Sequence, residues 1–159
     1  VLVAGHEIRP ALLGDAEALA ATVIAIGGFR AFAGWSQAAI AASVRTNVAA
    51  TLAGGGSTLL VVEHAEELIG WAQAHWLHDL FLPGPEGYLT ELFLVDAHRG
   101  VGIGTELLDR VVAEARERGA YRLTLLNGTE RASYARQFYR KRGWQERADV
   151  AGFVLLLQD

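Results

Sequence analysis

The chain has 159 residues, 52% of them hydrophobic and 20% charged, which suits one folded domain and excludes a largely disordered state. A net charge of −4 argues against a protein whose first task is holding nucleic acid, and no apolar run approaches the length of a transmembrane helix. The absence of Cys removes disulfides, thiolate metal sites and a cysteine nucleophile.

Residues 1–4 lack the charged start and longer apolar core of a signal peptide, so a cytoplasmic protein is expected. Residues 6–9 predict a short strand, closed by Pro10. Asp15 offers an N-cap, and Ala18, Leu19, Ala21, Val23 and Ile26 follow at helical intervals until Gly27 and Gly28. Ser36 caps a second helix, in which Ile40, Val44, Val48 and Leu52 share a face until the glycines at 54–56. The loop between these helices is rich in aromatics and holds one basic residue, Arg30.

Residues 58–63 and 68–76 predict a β-hairpin around a polar turn at 64–67. After a Pro- and Gly-bearing loop at 77–87, residues 88–95 predict a third strand of this group, with Glu91 alone among apolar neighbours. Ile103, Leu107, Leu108, Val111, Val112 and Ala115 stripe a strong helix that runs to Arg118 and stops at Gly119. Residues 122–127 predict a strand and 130–142 a helix ended by Gly143. The runs 144–147 and 150–157 predict closing antiparallel strands. No linker or repeat interrupts the chain, so residues 1–159 are expected to form a single α/β domain.

The segment 92–108 carries the strongest signal. A strand ends, Gly100, Gly102 and Gly104 alternate through a turn, and a helix begins inside it. Glycine lets the backbone bend sharply and lets amides approach a ligand; the helix start adds unpaired N–H groups and a positive dipole end. Together they suit an anion such as a pyrophosphate. A P-loop requires Lys before the Thr, and here Gly104 precedes Thr105. A Rossmann fingerprint needs its third glycine one residue later and an acidic residue after the following strand, where Asn127 stands instead. A third pattern, Arg-x-x-Gly-x-Gly for the diphosphate of coenzyme A, fits Arg99, Gly102 and Gly104 in type and spacing.

Residues 92–104 with the helix that follows resemble motif A of the GNAT superfamily of N-acetyltransferases. Residues 135–144, from Ala135 through Phe138, Tyr139 and Gly143 to Trp144, are similar to its motif B. The order of predicted elements agrees along essentially the whole chain. The resemblance implies an α/β GNAT-like fold: a mixed central sheet of about seven strands with splayed central strands, flanked by four helices. It implies acetyl-CoA as cosubstrate and N-acetyl transfer by direct reaction in a ternary complex. The acceptor is then a primary amine on a small molecule, with a peptide N-terminus or lysine as the lesser option. The rival from another class is a non-catalytic acyl-CoA-binding or sensor domain.

The same resemblance distributes roles. Arg99, Gly100, Val101, Gly102, Ile103, Gly104 and Thr105 would hold the pyrophosphate. Leu92, Phe93 and Leu94 would meet the pantetheine arm and the oxyanion through main-chain atoms. Tyr139 stands where the family's tyrosine faces the coenzyme sulfur, so it is expected to protonate the departing thiolate; its plain alternative is a half-buried aromatic beside Ala135 and Phe138. Many relatives carry Asn seven residues before that tyrosine, where this chain has Ala132; Ser133 or Asn127 are the substitutes. Polyamine acetyltransferases carry an acidic residue where Thr90 stands, which counts against a polyamine acceptor.

Glu91 is the candidate base, acting directly or through water, because a carboxylate in an apolar strand is costly unless it faces a cleft or a partner. Its alternative is a solvent-facing side chain. Phe29, Arg30, Phe32, Trp71, His75 and Tyr88 are the candidate acceptor residues, with Trp35 and Trp76 as further aromatics. They would suit an amine through cation–π contact or an acceptor bearing a carboxylate, and the aromatics equally suit a core. His64, His75 and His78 match no metal-ligand spacing, so no metal is expected. Neither nucleic acid nor membrane is an expected partner, and the apolar 150–157 run could contribute to a homodimer.

Overall fold

Two ion pairs made by Arg9 near the start of the chain bring separate segments together. In the computed structural model, which describes residues 5–157, strand β1 (His6–Pro10) presents Arg9, whose guanidinium donates to both Asp15 oxygens at 2.8 and 2.9 Å. The same group reaches Glu63 of β2 (Ser57–His64) at 2.9 Å. Asp15 also accepts the Leu12 amide at 2.7 Å, so its carboxylate fastens the turn before helix α1 (Ala16–Ile26) and does not cap the helix amides as expected. The signal-peptide reading of residues 1–4 lies outside the described residues.

Helix α1 stops at Gly27, whose φ of 61° favours glycine and whose amide bonds back to the Val23 carbonyl at 3.0 Å. Helix α2 (Gln37–Ala53) begins as predicted, with Ser36 Oγ accepting the Ala39 amide at 3.2 Å. Leu19 and Ala20 of α1 and Val44 and Val48 of α2 are buried in one core cluster with Leu59, Val61 and Trp71 of the sheet. Each of the Leu and Val side chains contributes about 1.5–3 kcal/mol when fully removed from water. Two of the four stripe positions on α2 are therefore core, while Leu52 is surface.

The β2–β3 hairpin turns on Ala65 and Glu66, both left-handed at φ 49° and 67°, the backbone that matches the twist of a two-residue hairpin. Strand β3 (Glu67–Leu77) pairs antiparallel with β4 (Glu86–Leu94), which pairs in parallel with β5 (Arg122–Leu125). The parallel step needs a crossover, supplied by α3 (Ile103–Glu117), whose Ile103, Leu107, Leu108 and Val111 are almost fully buried. Among the described residues the sheet runs β1-β2-β3-β4-β5: five strands, where about seven were expected.

The chain divides into two compact units, one up to Leu125 and one from Leu126. In the second, the predicted helix 130–142 is broken. A single turn, α4 (Ala132–Ala135), ends where Gln137 adopts φ 56° and the Phe138 amide bonds to the Ser133 carbonyl at 2.9 Å, a Schellman-type closure without glycine. A 3₁₀ turn, Arg140–Arg142, then leads to Gly143. The expected strands 144–147 and 150–157 are absent. A strand exists only as part of a ladder, and among the described residues these runs have no ladder partner, leaving Phe153 to Leu157 exposed. Among the described residues no helix is long and apolar enough to cross a membrane.

Acid should unpick this scaffold at two places. Hydrogen bonds from Arg9 hold the Asp15 carboxyl below its ordinary value, and Arg122, 2.9 Å from Glu86 across the β4–β5 pair, does the same for Glu86. A depressed carboxyl stabilises the fold above its unfolded value of about 4 and loses that contribution as pH falls through its folded value. The melting temperature is therefore expected to hold between pH 5 and 8 and drop below about pH 4. Glu86→Gln should lower it by roughly 2–4 °C at neutral pH and flatten part of the acid fall, as calorimetry at stepped pH will read.

Candidate functional site

After Leu94 the chain leaves the sheet. The Val95 amide bonds to the Ile69 carbonyl at 2.9 Å, and a 3₁₀ turn, Asp96–His98, follows. Arg99 folds back over this turn: its Nε donates to the Leu94 carbonyl at 2.9 Å and its Nη1 pairs with Asp96 at 2.6 Å. In this structure its guanidinium braces the strand end while remaining partly exposed.

Gly100 and Gly102 have φ of 80° and 101°, where a side chain would be strained, and a Cβ on either would meet nothing within 4 Å. The turn therefore opens outward. Among the described residues, the amides of Gly100, Val101, Gly102, Ile103 and Gly104 find no acceptor, while the next two, Thr105 and Glu106, bond to the Gly102 carbonyl at 2.9 and 3.1 Å. Unpaired amides at the start of a 15-residue helix make a site for phosphate oxygens. The donor set and the open space beside it fit a diphosphate.

Strand β4 is irregular beside this turn. Gln73 pairs with Glu91 and Ala74 with Leu89, so Thr90 is the extra residue of a β-bulge, its hydroxyl donating to the Gln73 carbonyl at 3.2 Å. Pairing with β5 ends at Leu89 and Leu125. Among the described residues, 90–94, including Leu92, Phe93 and Leu94, thus meet only β3 by strand pairing, and the central strands part there.

A cleft of about 380 Å³ lies between α1, α2 and the sheet. Phe29, Phe32, Trp71 and Phe93 supply aromatic walls, with the Phe93 ring 5.2 Å from those of both Phe29 and Trp71. Glu91 faces this cleft, where its carboxylate accepts a hydrogen bond from the buried Trp71 indole N–H. Asn47, Thr51, Gln73 and Thr90 complete the polar lining, Gln73 Nε2 donating to Thr51 Oγ1 at 3.0 Å.

Three of the predicted acceptor residues lie outside that lining. Arg30 is exposed, and His75 and Tyr88 face each other in the β3–β4 register, with His75 Nδ1 2.8 Å from Ser57 Oγ. Trp35 is half exposed against Phe32, and Trp76 is core, its indole donating to Thr58 Oγ1 at 2.9 Å. Sequence reasoning missed Asn47 and Thr51. The signal was present, since they fall three and seven residues after the buried Val44, on its helical face.

In the second unit, Tyr139 is half-buried, edge-on to Phe138 at 5.0 Å and to Trp144 at 5.7 Å. Burial pushes its phenol above the ordinary value, with the charge of Arg131 opposing. Ser133 Oγ donates to Asn127 Oδ1 at 2.9 Å, so these two side chains satisfy each other. Among the described residues no three His, Asp or Glu side chains cluster as a metal would require.

These features meet an independent comparison. A sequence model of the Acetyltransferase (GNAT) family matches residues 30–144, well over half of the chain. The chain belongs to the GNAT family of acetyltransferases. No curated protein matches it significantly. Among solved structures it resembles a transcriptional regulator from Bacillus halodurans C-125, with TM-score 0.81 and 22% identity over 96% of this chain and 99% of that one. A ribosomal-protein-alanine N-acetyltransferase from Brucella melitensis biovar Abortus 2308 gives TM-score 0.71 and 20% identity over 96% and 100% of the two chains. A predicted acetyltransferase from Clostridium acetobutylicum, solved with acetyl-CoA, gives TM-score 0.72 and 21% identity over 94% and 96%. At these identities the likeness is one of fold.

Proposed function

We propose that this protein transfers an acetyl group from acetyl-CoA to a primary amine of a small molecule, directly and within a ternary complex. One juxtaposition carries the reading. A single stretch of chain presents Glu91 to an aromatic cleft and, nine residues later, begins a turn whose amides lack acceptors. Family membership supports the acetyl donor, and acetyl-CoA is bound by a structural neighbour.

The coenzyme would supply an acetyl group activated as a thioester. Amides of residues 100–104 would hold its diphosphate, with the Thr105 hydroxyl beside them, and main-chain atoms of Leu92 to Leu94 would align its arm. The amine must be neutral to attack, although such groups have a solution pKa of about 10.4. Glu91, directly or through water, takes the proton that the amine nitrogen sheds as the new C–N bond forms. Main-chain N–H groups near Phe93 and Leu94 stabilise the negative charge on the carbonyl oxygen. As the C–S bond breaks, the thiolate takes a proton, assigned to Tyr139 by the likeness of residues 135–144 to the family motif. Protons balance when Glu91 first passes the ammonium's proton to solvent: ammonium and thioester become amide, thiol and one released proton, and neither a metal nor an acetyl-enzyme is needed.

Incubation with acetyl-CoA and a panel of primary amines should release free coenzyme thiol above the rate of hydrolysis. Protection against melting by acetyl-CoA, with no amine accelerating thiol release, would overturn the enzyme reading and leave a binding domain.

A further inference from the structure

Among the residues that line the cleft, Glu91 alone carries an ionisable side chain. Arg30 lies in sequence between two lining residues, Phe29 and Ala31, but is exposed and outside the lining. The walls therefore offer no cation to an acceptor's carboxylate or phosphate, and no second carboxylate to a polyamine. An anionic group brought beside Glu91 would be repelled and left unpaired.

What the walls do offer is specific. The Trp71 indole N–H engages one Glu91 oxygen, Oε2, and an ionised carboxylate has acceptor capacity to spare for an ammonium. The rings of Phe29, Trp71 and Phe93 add faces that attract a cation and an apolar surface for the body that carries it. A volume of about 380 Å³ sits near the small end of ligand pockets. Resting on the acetyl-transfer reading, we infer that the cleft takes a monoamine on a compact aromatic or apolar body, without carboxylate or phosphate. Asn47, Thr51 and Gln73 leave room for neutral hydrogen-bonding substituents at the α2 side.

The test is calorimetric titration of the intact chain with 2-phenylethylamine, phenylalanine and spermidine, with and without coenzyme A. Phenylalanine adds only a carboxylate to the first probe, and spermidine removes the aromatic body and adds charges. 2-Phenylethylamine should bind at least about tenfold more tightly than either. Glu91→Gln, checked for folding by circular dichroism, should weaken 2-phenylethylamine and erase most of its advantage over phenylalanine. Equal or tighter binding of phenylalanine or spermidine, or no binding of 2-phenylethylamine in either arm, overturns the proposal. Thiol release separates the two claims. Release with only carboxylate-bearing amines or polyamines sinks the substrate class and spares acetyl transfer. Selective binding of 2-phenylethylamine with no release from any amine sinks acetyl transfer and supports the cleft assignment.

Discussion

Gly102→Val should weaken acetyl-CoA binding by about 10- to 100-fold while the protein remains folded. Gly102 precedes the first residue of α3 at φ 101°, a conformation that costs an L-residue of order 1–3 kcal/mol. The substituted chain has two choices: to carry that strain, or to relax φ to negative values. Relaxation swings the amides of residues 101–103 away from their common direction and dismantles the anion site. Since nothing lies within 4 Å of the added Cβ, steric clash with the core is not the cause of the effect. Calorimetry with acetyl-CoA measures it, and a folded variant of undiminished affinity would show that the diphosphate binds elsewhere.

Tyr139→Phe should slow thiol release by about 10²-fold or more and leave acetyl-CoA affinity largely intact, because the change removes a proton donor and little surface. The pH profile adds a sharper signature. Burial raises the phenol above its ordinary value of about 10, so the protonated, donating form persists throughout the neutral range. The wild-type rate is thus expected to fall on the alkaline side only above about pH 10, and that fall should vanish in the Phe variant. A variant with unaltered rate and profile would reduce Tyr139 to a packing residue between Phe138 and Trp144.

Much of the first unit was legible because local signals agreed with tertiary demand. Ser36 caps α2, Gly27 ends α1, and the stripe of α3 is the buried face. The glycine turn was legible for a related reason: alternating glycines mark a backbone that other residues resist. The second unit was less so. Gln137 takes a left-handed conformation with nothing in its side chain to announce it, so helical periodicity ran past a real break. Residues 150–157 have the composition of a strand, but a strand is a relation between two segments, and composition describes only one.

The cleft divides in the same way. Phe29, Phe32, Trp71 and Glu91 could be named from residue type, and all four line it. His75 and Tyr88 could not be sorted from them, because whether a strand side chain reaches the cleft depends on its place along the ladder and on the bulge at Thr90, and Arg30 could not because it sits in a short 3₁₀ turn whose orientation the sequence does not show. Bulges leave little trace in a single sequence.

That bulged strand has one more implication. Glu91 and Phe93, on alternate positions of β4, address the cleft, and the turn that begins seven residues after Phe93 is the proposed anchor for the coenzyme. The spacing between the proposed donor and acceptor sites is consequently set by a short covalent tether, the end of β4 and the 3₁₀ turn after it, and not by the packing of helices against the sheet. Substitutions at the α1 and α2 positions that line the cleft would reshape what fits it without altering the length of that tether.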